Sequence, residues 1–75
     1  MKYKVWFQLY QIQWNGFNNV EADSPEEAFD IADRNYYTDV EPDEEVVDKT
    51  IGPVYAEVLD ETDKVLYTVL IGERP

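Results

Sequence analysis

From Tyr3 to Trp14 the chain alternates between two sets of side chains. Tyr3, Val5, Phe7 and Leu9 fall on one side; Trp6, Gln8, Tyr10, Ile12 and Trp14 fall on the other. A period of two belongs to a β-strand, whose successive side chains leave opposite faces of a sheet. The alternation runs straight into Asn15-Gly16. Asn-Gly is the strongest short hairpin signal, because a type I′ turn needs positive φ at both central residues. The pattern predicts a turn there and a return strand from Phe17 to Ala22. Such a turn pairs Trp14 with Phe17, Ile12 with Asn19, Gln11 with Val20, Tyr10 with Glu21 and Leu9 with Ala22. Val20 and Ala22 then join the Val5/Phe7/Leu9 face.

Ser24-Pro25-Glu26-Glu27 follows, and every residue of it favours a helix start. Ser24 is placed to cap the first free N–H groups, Pro25 fits the first helical position, and Glu27 completes a capping box. Both glutamates also suit the positive end of the helix dipole. The helix is expected to run to about Tyr37. At 100° per residue, Ala28, Phe29, Ile31, Ala32, Asn35 and Tyr36 form one wide stripe. Glu26, Glu27, Asp30, Asp33, Arg34 and Tyr37 form the opposite face. The stripe is expected to lie on the Val5/Phe7/Leu9/Val20/Ala22 face of the hairpin.

Residues 38–50 read as an acidic loop, with Val46-Val47 and Pro42 set among carboxylates. A short element is expected at 42–50, either a helical turn from Pro42 or an edge strand. Gly52-Pro53 breaks the chain. Val54–Leu59 and Val65–Ile71 read as two strands joined by a turn over 60–64. The order is strand, strand, helix, strand, strand. It predicts one α+β domain over residues 1–75, with one helix packed on a four-stranded antiparallel sheet, a ββαββ two-layer arrangement. One helix covers one face. The other face carries Trp6, Tyr10, Trp14 and Phe17, an aromatic surface with the character of an interface. The loop, a second copy of the chain or another protein are the candidates to cover it.

Composition narrows the chemistry. The chain has no Cys and no His, so it lacks a thiolate nucleophile, the usual general base near neutral pH and the commonest zinc ligands. Ser24 is the single serine, and capping explains its hydroxyl. No catalytic residue is assigned and no cofactor is expected. Asp39, Glu41 and Asp43 have the spacing of the first ligands of a calcium loop. Glu44 then stands where the loop needs glycine and Thr50 where it needs glutamate, so no metal site is assigned. No apolar run is long enough to span a membrane, and Met1-Lys2-Tyr3-Lys4 does not open a signal peptide. A cytoplasmic location is expected.

The net charge is −11, from 17 acidic and 6 basic side chains, and it is not spread evenly. Residues 21–48 carry all of it; the segments on either side cancel one another. Glu26, Glu27, Asp30 and Asp33 stand on one side of the helix at intervals of about 5–6 Å. Asp39, Glu41, Asp43, Glu44, Glu45 and Asp48 are expected to extend that row. Phosphates along a nucleic-acid strand repeat on a similar scale of several ångströms. The expected partner is therefore the basic surface of a nucleic-acid-binding protein, which such a row occupies in place of its substrate. Direct contact with nucleic acid is disfavoured by repulsion. The alternative is a structural module that forms a homodimer through its aromatic sheet face, its acids serving solubility only.

Val20-Glu21-Ala22-Asp23-Ser24-Pro25-Glu26-Glu27-Ala28, continuing to Ala32, resembles a pattern common in small proteins of phages and mobile elements. In these a hairpin leads into a capped helix and two further strands. DpnD/PcfM-like proteins look similar over this stretch, and several anti-CRISPR proteins are similar in layout. The resemblance implies an accessory protein without catalysis, acting in the host cytoplasm as an inhibitor of a nucleic-acid-binding complex. It carries over no functional residue.

Overall fold

The computed structural model describes residues 1–10, 13–38, 40–46 and 53–72, the side chain of Tyr10 excepted. Strand β1 is Lys2–Tyr10, β2 is Gln13–Glu21, helix α1 is Pro25–Tyr36, β3 is Tyr55–Leu59 and β4 is Val65–Leu70. The strands form one antiparallel sheet in the order β2-β1-β3-β4, and α1 covers one of its faces. This is the α+β arrangement that the element order predicts.

The helix starts as its sequence dictates. Ser24 holds an extended backbone, and its Oγ accepts from the N–H of Glu27 at 3.1 Å. The Glu27 carboxylate reaches back to the N–H of Asp23 at 3.4 Å. Ala28, Phe29, Ala32 and Tyr36 are buried against the sheet. They meet Tyr3, Val5, Phe7 and Leu9 of β1, Phe17 and Val20 of β2, Ala22, and Ala56 and Val58 of β3. Phe7 is the hub: its ring lies 4.7 Å from that of Tyr36, 6.1 Å from Phe29 and 6.2 Å from Phe17.

The first hairpin does not turn at Asn15-Gly16. Those residues lie inside β2, where Asn15 pairs with Phe7 and Gly16 with Trp6, and the pairing closes at Tyr10↔Gln13. Residues 11 and 12 lie outside the described residues. Packing overrides the turn preference here. Asn15 is wholly buried; its Nδ2 donates to the Tyr36 hydroxyl at 3.3 Å, and its Oδ1 accepts from the N–H of Val46 at 2.7 Å. Gly16 is needed for close approach: a Cβ there would stand 2.9 Å from Cε2 of Trp6 and 3.0 Å from Cδ2.

The register corrects a second expectation. Tyr3 pairs with Val20 and Val5 with Phe17, so β2 spends one extra residue at Asn18-Asn19. Such a bulge reverses the alternation along the strand. Phe17 and Val20 therefore both point under the helix, and Phe17 is a core residue, 5% exposed, not part of the aromatic outer face. A further irregularity lies between Gln8 and Tyr10.

Candidate functional site

Residues 40–46, the described part of the acidic connection, form a strap along the outer edge of β2. Gly16 donates to the Glu44 carbonyl at 2.8 Å, and Glu44 donates back to the Gly16 carbonyl at 3.1 Å. Two residues further along the same edge, the N–H of Asn18 donates to Oδ2 of Asp43 at 2.6 Å. The bond from Val46 to Asn15 adds a third tie, and Pro42 is buried. Of the helical turn and the edge strand expected over 42–50, residues 42–46 form neither, only one isolated antiparallel bridge, Gly16↔Glu44, and 47–50 lie outside the described residues. Asp39 and Asp48 lie outside the described residues.

The acids fall on two elements. On α1, Glu26, Glu27 and Asp30 are exposed, and Asp33 is half-buried. On the strap, Glu41, Asp43, Glu44 and Glu45 are exposed, with Asp43 engaged as an anchor. The ion pairs formed by Glu21 with the N-terminal amine at 3.2 Å and by Asp63 with Lys4 at 2.6 Å take no carboxylate from either set. The strap turns what the sequence offers as loop charge into carboxylates on an anchored backbone. Among the described residues, no group of three or more acids comes together to hold a metal ion.

Across the sheet from α1 lies a second face, left open by the described elements. Trp6 and Trp14 are half-buried on it, and Trp14 stands edge-on to Tyr55 with ring centroids 6.2 Å apart. Tyr10 belongs to β1, but its side chain lies outside the described residues, as does Ile12. Pairing places Gln8 between Trp14 and Tyr55, and Trp6 between Gly16 and Glu57. Toward β4 the face turns aliphatic, with Leu66 41% and Leu70 83% exposed. A shallow depression of about 240 Å³, lined by Met1, Lys2, Asp60, Glu61 and Thr62, lies near the β3–β4 turn, away from both surfaces.

That turn is closed by two backbone bonds, from Asp60 N–H to the Lys64 carbonyl at 3.0 Å and from Asp63 N–H to the Asp60 carbonyl at 3.1 Å, and by one carboxylate oxygen. Oδ1 of Asp60 accepts from Oγ1 of Thr62 at 2.6 Å, the N–H of Thr62 at 2.8 Å and the N–H of Lys64 at 3.0 Å. The Thr62 hydroxyl, then the Lys64 N–H, hold the Asp60 carboxyl below its ordinary pKa.

Asn15, Gly16 and Asn18, which anchor the strap, are absent from the residues the sequence singles out for function. Their signal is a run of polar and small residues inside a strand whose neighbours alternate cleanly. No described helix is long and apolar enough to cross a membrane. Comparison with protein-family models, with curated proteins and with solved structures found no match.

Proposed function

We propose that this chain is a non-enzymatic, acidic protein-binding module that occupies the basic nucleic-acid-binding surface of another protein. Its contact residues are Glu26, Glu27 and Asp30 on α1 and Glu41, Glu44 and Glu45 on the strap. The setting we propose is that of a phage or mobile-element inhibitor of the anti-CRISPR or anti-defence kind, acting in the host cytoplasm.

The observation that carries this reading is the anchored strap. Free loop carboxylates lose conformational entropy on binding, and long side chains on a mobile backbone lose the most. Here three hydrogen-bonded ties fix the backbone of the acidic stretch before any partner arrives. Fixed charge of one sign both speeds encounter with a basic surface and keeps more of the contact energy as affinity.

The test is displacement of target DNA from guide-loaded CRISPR effector complexes, read by fluorescence anisotropy. Wild-type protein should displace DNA, and the effect should weaken steeply with added salt. The variants Glu26→Lys/Asp30→Lys and Glu41→Lys/Glu44→Lys should each lose roughly tenfold or more in potency. All these side chains are exposed, so the fold should survive. Failure of the wild type to displace DNA, or indifference to both charge reversals, would sink the proposal. The rival reading, self-association through Trp6 and Trp14, draws support from their position on the open face, though it loses Phe17 to the core.

A further inference from the structure

The two outer strands of the sheet differ in how their edges are finished. The β2 edge is closed by the strap. On the β4 edge, no hydrogen bond among the described residues reaches the outer side. An open edge presents unpaired N–H and C=O groups and is a template for another strand; protein sheets usually protect it with Lys, Pro, a bulge or an inward charge. Val65-Leu66-Tyr67-Thr68-Val69-Leu70 has no charged residue and no Pro; its pairing with β3 is regular from Tyr67 to Leu70, and its one irregularity, where Val65 and Leu66 together oppose Leu59, lies at the start of the strand.

We propose that the chain forms a twofold dimer by antiparallel pairing of β4 with β4 of a second copy, centred on Thr68. The side chains select both the partner and the register. Centring on Thr68 sets Thr68 opposite its own copy, Leu66 opposite Leu70, and Tyr67 opposite Val69. The Leu–Leu and Thr–Thr pairs lie on the open face and the Tyr–Val pairs on the helix face, since Tyr67 and Val69 pack toward the core. Aromatic–β-branched and Thr–Thr pairs are among those that stabilise antiparallel neighbours. Sliding the register by two residues either way sets Thr68 against Leu66 or Leu70 and loses this match. A surface that is its own complement is what an isologous twofold contact requires.

Charge distribution favours a second copy at this edge over the helix side or the strap edge. In a chain of net charge −11, like copies repel. The acids of α1 and of the strap lie on the helix and at the opposite edge of the sheet. An approach at the β4 edge brings uncharged side chains together. Pairing also covers Leu70, the most exposed large apolar residue described. The two four-stranded sheets become one, and both copies of α1 stand on the same side of it, because the twofold axis runs perpendicular to the sheet.

Equilibrium sedimentation of the full chain at roughly 100 μM should give twice the chain mass. Thr68→Lys sets two ammonium groups against each other at the axis and should raise the dissociation constant roughly tenfold or more. Thr68→Val should keep the dimer. Thr68 is exposed, so far-UV circular dichroism should be unchanged in both. A second readout uses the lack of native cysteine: Thr68→Cys should form a covalent dimer under copper-phenanthroline oxidation, and Asp30→Cys should not. A monomeric wild type overturns the proposal. So does a dimer that withstands Thr68→Lys, or one that dissociates with Trp14→Ala and not with Thr68→Lys, which would move the contact to the aromatic face.

Discussion

Gly16 shows how one residue can satisfy two different structural demands. Read along the chain, Asn15-Gly16 is a turn; in the fold it is mid-strand, and the glycine is there because the Trp6 indole lies against it. Gly16→Ala would therefore force the ring aside. Overpacking of this kind costs about 1–3 kcal/mol. The same change stiffens the unfolded chain, a gain of about 0.4–1 kcal/mol, which is too small to offset the clash. The urea midpoint should fall, and in a Trp6→Ala background the penalty of Gly16→Ala should largely vanish. Equal penalties in both backgrounds would show that the indole is not the cause. The turn preference of Asn-Gly is a local property. What overrides it, a buried amide shared between Tyr36 and Val46, joins residues 21 and 31 positions away in the chain. No local pattern reports that, which is why the strap's anchors were not legible in advance.

Elements whose determinants are local were legible nearly to the residue. Helix α1 carries its cap, its N-terminal Pro and its apolar stripe within its own residues, and it forms where they say. The faces of β1 were equally plain, because strict alternation has one solution. The face of β2 was not: with Asn15-Gly16 continuing the strand, Phe17 falls opposite Val5 on the core face, and the bulge at Asn18-Asn19, which no marking residue announces, keeps Val20 on that face too. The β3–β4 turn carries its turn-forming residues within 60–64, and its hydrogen bonds give it a pH dependence. The Thr62 hydroxyl and Lys64 N–H favour the charged form of Asp60 in the fold, so its folded pKa lies below the ordinary 3.8. A group depressed in this way stabilises the fold fully above its unfolded value. That contribution fades as pH falls through the lower, folded value. Carboxyl NMR should place the Asp60 midpoint below 3.8, and Thr62→Ala should move it upward. A midpoint unmoved by Thr62→Ala would mean that the hydroxyl does not hold the turn in solution.

On the scale of the whole molecule, charge and fold oppose one another. The strap carries Glu41 and Glu44 exposed on an anchored backbone, and α1 adds Glu26, Glu27 and Asp30. The ion pairs at Glu21 and Asp63 relieve neither set. Holding like charges close destabilises the compact state, and a domain of this size has only about 3–5 kcal/mol of core stability to set against it. Salt shortens the range of that repulsion, from about 10 Å at 0.1 M to about 3 Å at 1 M. The melting temperature should therefore rise with sodium chloride, a salt chosen because sulfate would also strengthen apolar burial. Binding to a basic partner should weaken over the same range. One set of carboxylates thus predicts salt effects of opposite sign on stability and on binding. Glu41→Gln/Glu44→Gln should flatten both. If the variant flattens the stability curve alone, the strap's charges strain the fold without contacting the partner, and the interaction surface must be sought on α1.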